Sequence, residues 1–245
     1  MQQMEETRSE RRARPRTRGR GRLVLAGAVL ALVLAVGGPF AYINFVQEDA
    51  PERLGLATAT TGADTTAAAT GVSLDGTWTV AGGSQAGYRV EEVLLGQNVE
   101  AVGRTTAVTG ELTVSGTEVQ SGSFSVDLTQ VTSDDDRRDD AFQGRIMETA
   151  TYPTATFELT EPITLAELPA DGETVTATAN GELTLHGTTR AVTVELTVQR
   201  DGDTVNVSGS IPVTFADYGI ANPSFGPVTT EDNGEVEFLL ALTRG

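Results

Sequence analysis

The chain has 245 residues, with 17 arginines, no lysine and 34 acidic residues, for a net charge of −17. It has no cysteine and one histidine, His186, which excludes disulfides, thiolate metal sites, cysteine nucleophiles and multi-histidine zinc sites. Residues 1–22 hold eight arginines and three glutamates, residues 23–46 hold no charge, and residues 47–245 hold nine arginines against 31 acids; the bulk of the chain is a poor nucleic-acid binder, because phosphate contacts need a basic surface.

Residues 1–22 read as an Arg-rich cytoplasmic tail. The 24 uncharged, mostly apolar residues 23–46 that follow are enough to cross a hydrocarbon core about 30 Å thick. The arginines directly before them put the N-terminus in the cytoplasm and everything after Val46 outside. The expected localisation is therefore the plasma membrane, single-pass, with the rest of the chain extracytoplasmic. A cleaved signal peptide is the competing reading. It expects a shorter apolar core and an A-x-A-like site, and no clean one follows here. Residues 47–72 read as a flexible linker: six of residues 57–70 are Ala and six are Thr, and such a segment has no large side chains from which to build a core.

Residues 73–245 change character. Apolar residues alternate with Thr, Ser, Glu and Asp at a period of two, which predicts antiparallel strands with one apolar and one wet face. In chain order the pairs and runs are Trp78 and Val80, Tyr88 and Val90, Leu112 and Val114, then Phe124, Val126 and Leu128. Phe157 and Leu159 follow, then Leu183 and Leu185, then Val192 to Val198. Ile211, Val213 and Phe215 come next, and the last run takes Val236, Phe238, Leu240 and Leu242. Gly82-Gly83, Gly116 and Gly187 mark turns, and Asp201-Gly202 predicts a tight hairpin. The sum is nine or ten strands. Residues 133–149 break the pattern and predict one short helix, with Ser133 as its cap and Phe142, Ile146 and Met147 facing the sheet. Many antiparallel strands and one helix imply a barrel or a sandwich. About eight strands leave room for one small ligand when closed, and periodicity does not separate an open lumen from a solid core.

No residues assemble into a catalytic constellation. His186 reads as an exposed turn histidine on the wet face. Arg137 and Arg138 interrupt the acidic run Asp134–Asp140, which reads as a solvated helix start and not as a calcium loop. Glu91 and Glu92 point to opposite faces of a strand. Residues 222–227 form an irregular loop, either a mouth loop or an ordinary connection.

Several stretches nevertheless have a familiar order. Trp78-Thr79-Val80 opens the domain. Arg138-Asp139-Asp140 leads through Gly144-Arg145-Ile146 to Tyr152-Pro153-Thr154-Ala155-Thr156-Phe157. Gly181-Glu182-Leu183-Thr184-Leu185-His186-Gly187-Thr188-Thr189-Arg190 follows, then Asp217-Tyr218-Gly219-Ile220. Over residues 74–244 this pattern resembles the YceI-like family, lipocalin-like polyisoprenoid-binding bacterial proteins. The resemblance implies an all-β fold: an extended eight-stranded antiparallel lipocalin-like barrel with one short helix, here preceded by the transmembrane helix. It implies an isoprenoid lipid, a quinone or a polyprenyl lipid, along the lumen, with no other cofactor. The chain departs from the pattern at Phe215-Ala216-Asp217, where a basic residue is commoner.

The expected lining residues are Phe124, Val126, Phe157, Leu183, Leu185, Val213, Phe215 and Phe238, with Tyr218 near a mouth. The expected function is a membrane-anchored binding protein that stores or transfers a polyisoprenoid. The alternative is a stalked surface domain that binds a protein or cell-wall glycan, and an enzyme acting through His186 is a third, weaker reading.

Overall fold

The computed structural model describes residues 50–56, 73–94, 96–226 and 228–245. Among them are β1 (Gly76–Val80), β2 (Gln85–Leu94), β3 (Gln97–Thr105), β4 (Val108–Ser115), β5 (Glu118–Asp127), β6 (Thr154–Leu159), β7 (Ile163–Thr164), β8 (Thr174–Leu185), β9 (Thr188–Asp201), β10 (Thr204–Thr214), β11 (Val228–Thr230) and β12 (Asn233–Arg244). The named strands pair antiparallel throughout. The order β1-β4-β5-β6-β8-β9-β10-β12 closes on itself because β12 also pairs with β1. That is the eight-stranded barrel. Closure leaves no free edge within this ring, and it encloses the apolar face that alternation builds.

The ring is closed at β12 by two successive strands. β1 pairs with the Leu242–Arg244 end of β12 and β2 with its Glu235–Leu239 stretch. Between them the chain turns at Gly82-Gly83, and the buried Ser84 pins the joint. The Ser84 hydroxyl donates to the Ala81 carbonyl (2.9 Å) and accepts the Ala241 N–H (2.9 Å). The β2–β3 hairpin extends the wall, and Arg104 of β3 bridges to Thr132. The β9–β10 turn follows the Asp201-Gly202 signal, with Gly202 at φ 59°. In the β8–β9 turn both central residues are left-handed, His186 at φ 50° and Gly187 at φ 72°. This is the conformation that a two-residue turn needs to match strand twist.

Three strands escape the periodicity. β7 and β11 are only two and three residues long. β3 turns Ala101 and Gly103 inward opposite Val90 and Tyr88, residues too small to register as an apolar stripe. Phe215, expected within a strand, instead starts a 3-10 turn, Phe215–Tyr218. The helix α1 (Asp136–Ala141) runs into a π turn over Phe142–Ile146. Its cap is Asp135 and not Ser133: the Asp135 carboxylate accepts the Arg137 N–H (2.8 Å). Ser133 is engaged elsewhere, donating its N–H and hydroxyl to Asp139 (2.8 and 2.6 Å).

No helix among the described residues is long and apolar enough to cross a membrane, and the expected span, residues 23–46, lies outside them. Residues 50–56, within the stretch read as linker, lie against the outer wall of β2, β3 and β12. Arg89 donates to the Pro51 carbonyl (2.7 Å), Arg104 to the Glu52 carbonyl, and Arg53 to the Glu235 carboxylate (2.5 Å). Under this cover Arg89 Nε meets Glu237 Oε1 at 2.6 Å, both residues being at most 3 % exposed. Arg89 Nη1 meets Glu100 at 2.6 Å.

Candidate functional site

The inward face of the barrel encloses two adjoining chambers. The first lies at the β1 end and measures about 150 Å³. Its lining includes Trp78, Leu112, Phe124, Phe157, Leu183, Leu196, Phe238 and Leu242, and it contains no charged residue. Apolar cavities of this size stay dry and take up apolar guests. The second, about 120 Å³, lies at the helix end. Phe142, Ile146 and Met147 of the helical segment roof it, as their spacing predicts. Ala86, Val126, Ala155 and Val236 belong to both linings. Small side chains thus occupy the level where the chambers meet.

The lumen owes its space to a recurring cross-strand pairing. Tyr88 faces Gly103, Phe124 faces Gly110, and Phe238 faces Gly209. A Cβ at Gly110 would stand 2.6 Å from Phe124 Cδ1, and one at Gly209 2.7 Å from Phe238 Cζ. Gly181 gives way to Phe157 in the same manner. Each ring therefore lies down on the wall over a glycine, the arrangement known from edge-glycine rescue in sheets. The aromatics line the lumen without plugging it. The sequence signal for this was present: a strand-interior glycine marks a close approach of another group.

Of the expected lining residues, Phe124, Phe157, Leu183 and Phe238 line the first chamber. Leu185, Val213 and Phe215 line the second, and Val126 lines both. Tyr218 lines neither. It is 3 % exposed and packs in the core beneath the 3-10 turn. The second chamber also has four polar lining residues that the alternation does not point to: Glu92 of β2, Arg138 of α1, Thr230 of β11 and Glu235 of β12, whose carboxylate is held by Ser210 and Arg53. Pro223, in the irregular loop, also joins this lining. Glu91 is exposed while Glu92 turns inward, so the two glutamates do part to opposite faces.

Burial holds the Glu92 carboxyl above its ordinary value of 4.5; Arg138 and the Thr230 hydroxyl pull it partly back, and Asp134 pushes it further up. Burial likewise raises the Tyr88 phenol far above its usual range, keeping it neutral where it stacks on Phe142 (centroids 5.0 Å apart). The raised Glu92 value has a sign for stability. The folded state binds more protons than the unfolded one in the window between the two values, so this group's contribution is fully present below 4.5 and is lost as pH rises through the folded value. Glu92→Gln is expected to raise the melting temperature at neutral pH, with the gain over wild type shrinking toward pH 4.5. Thermal melts of both proteins from pH 4.5 to 8 check this; a constant difference would contradict it.

His186 is not the exposed turn residue that alternation implies. It sits in the turn with 13 % of its side chain exposed. Tyr152 packs against it (centroids 4.6 Å, 61° between planes). Its Nδ1 lies 3.3 Å from the Tyr218 carbonyl and its Nε2 3.9 Å from Glu148. These contacts fasten the β8–β9 turn to its neighbours. They lie apart from both linings.

Comparison with known proteins bears on this barrel directly. Residues 78–242 match the family model of the YceI-like domain. Among solved structures, a polyisoprenoid binding domain from Saccharophagus degradans, implicated in plant cell wall breakdown, is similar at 20 % identity and a TM-score of 0.56, covering 69 % of this chain and 98 % of that one. BcnA of Burkholderia cenocepacia is 22 % identical over 63 % of this chain and 95 % of its own, with a TM-score of 0.49. The YceI protein of Campylobacter jejuni is 16 % identical over 55 % of this chain and 82 % of its own, with a TM-score of 0.42. No curated protein matches. The likeness to the Saccharophagus degradans domain concerns the fold. The family-model match runs from β1 into β12, through every strand of the closed ring, and by it the chain belongs to the YceI-like family.

Proposed function

We propose that the chain is an extracytoplasmic binding protein, anchored in the plasma membrane by residues 23–46, that holds a polyisoprenoid (a quinone or polyprenyl lipid) in its lumen for storage or transfer. The observation that carries this reading is the first chamber: a lining without charge inside a closed barrel, kept open by aromatic rings laid over glycines. An isoprenoid chain has no hydrogen-bonding groups, so burial of its hydrocarbon must supply the affinity. At ~0.8 kcal/mol per buried CH₂, a tail of about eight units nominally exceeds the roughly −18 to −21 kcal/mol at which affinities saturate. Tail length is therefore discriminated weakly. The family membership supports the reading, as does the structural likeness to a domain described as polyisoprenoid binding. The protein acts by binding and not by catalysis.

The test uses the full chain, extracted from bacterial membranes in mild detergent and examined by native mass spectrometry beside solvent extraction. One isoprenoid per chain is the expected result. A folded chain that carries no apolar ligand and refuses added quinones and polyprenols would overturn the reading in favour of a surface interaction domain.

A further inference from the structure

The helix end of the lumen differs from the rest in chemistry. The first chamber has no charged lining residue; the second brings Glu92, Arg138 and Thr230 to one apolar space. Thr230 is 4 % exposed, and its hydroxyl lies beside the Glu92 carboxyl, with no other hydrogen-bond partner among the described residues. A buried hydroxyl favours a full set of hydrogen-bond partners, and this one belongs to the lining of the cavity. Its backbone is already fixed: the Thr230 N–H donates to Ser224 (2.9 Å) and its carbonyl accepts from Asn222 (3.0 Å). The side chain is thus held in place beside the Glu92 carboxyl, facing the cavity.

The charges nearby decide what kind of group fits there. Arg138 is the lining cation, and it is already paired with the carboxylate of Asp134, four residues before it. Asp139 lies close enough to act on the Tyr88 phenol. Arg145, on the same helical segment, lies over the exposed Phe225 ring (5.4 Å) and donates to the Pro223 carbonyl (2.9 Å). A phosphate entering here would meet the Glu92 carboxylate, with Asp134 and Asp139 behind it and the nearest guanidiniums engaged. A hydroxyl would meet an acceptor in Glu92 and a donor in Thr230, and would lose nothing to charge repulsion.

From this juxtaposition we propose that Glu92 and Thr230 form a headgroup site selecting an uncharged, hydroxyl-bearing isoprenoid, a free polyprenol or quinol, and rejecting its phosphorylated counterpart. The inference rests on the lipid-binding reading above and adds to it the chemistry of the ligand's polar end.

The experiment compares three probes on the full chain in detergent at neutral pH: undecaprenol, undecaprenyl phosphate and squalene, the last having no headgroup. Undecaprenol is expected to bind at least about tenfold more tightly than the phosphate, a difference of ~1.4 kcal/mol. Thr230→Val is expected to weaken undecaprenol and leave squalene unchanged. Glu92→Gln is expected to narrow the gap between alcohol and phosphate by admitting the phosphate. Circular dichroism confirms that each variant is folded, and the wild-type comparison stands without them. Equal or tighter binding of the phosphate by wild type overturns the proposal. Equal binding of all three probes also overturns it while leaving the lipid reading intact. Refusal of all three overturns both.

Discussion

Replacing Val126 by Trp is expected to reduce bound long-chain isoprenoid from about one per chain to below roughly a tenth, a loss of at least ~1.4 kcal/mol. Val126 is on β5, opposite Val108 on one side and Ala155 on the other, and it belongs to the linings of both chambers. An indole at this level separates them. Every isoprene unit then kept out of the far chamber forfeits about 4 kcal/mol of nominal burial, at ~0.8 kcal/mol per carbon. The fold survives, because the added ring enters space that wild type leaves unfilled; the overpacking cost is about 1–3 kcal/mol. A short isoprenoid that fits one chamber is expected to bind still. Leu185→Trp, which intrudes on the second chamber alone, is expected to spare such a ligand in the first. Native mass spectrometry of the folded variants reads both effects. Unchanged occupancy by a long-chain lipid in a folded Val126→Trp protein would show that the chambers are not one binding site.

The second large effect lies outside the lumen. Glu237→Gln is expected to destabilise the protein by about 3 kcal/mol, the lower part of the ~3–5 kcal/mol range for breaking a buried ion pair. The lower part applies because Arg89 keeps Glu100 at 2.6 Å when Glu237 is neutralised. For a folded unit of this size the melting temperature should fall by roughly 6–12 °C. Burial by itself disfavours the Arg89 charge, and its ion pairs with Glu237 and Glu100 outweigh that, raising its pKa. The double substitution Arg89→Met with Glu237→Leu removes both charges together and is expected to recover most of the loss. Lipid occupancy should stay at the wild-type level, since Arg89 and Glu237 point away from the chambers. A melting temperature unmoved by Glu237→Gln would mean that the pair contributes nothing net. The same network binds residues 50–56 to the barrel through Arg53 and the Pro51 carbonyl, so a fragment cut at residue 73 would expose a paired but no longer covered set of charges.

Much of the barrel was legible in the chain. Strict alternation at Val192 to Val198 and Val236 to Leu242 reports a sheet with one dry face, and β9 and β12 are the result. Asp201-Gly202 sets a turn because its geometry is a property of two adjacent residues. The apolar site residues could be named for the same reason: inward strand positions of a barrel face its interior by parity alone. The exceptions mark the reach of that argument. Tyr218, expected near a mouth, ends a 3-10 turn, where strand parity no longer applies, and is packed in the core. Parity puts His186 in solvent, yet Tyr152, distant in sequence, covers it. β3 escapes the pattern because its inward Ala101 and Gly103 are small so that Tyr88 and its neighbours have room.

The sequence by itself determined the all-β class, the strand faces, most turns and the family, because each of these is carried by residues close together along the chain. Only the tertiary structure decided that the interior is a lumen and not a solid core. A cavity is the volume left over when side chains from strands far apart in sequence meet, and no single strand records it. It depends on Phe238 meeting Gly209 and Phe124 meeting Gly110, on β1 and β2 sharing β12, and on Glu92 and Thr230 reaching the same chamber from strands more than a hundred residues apart.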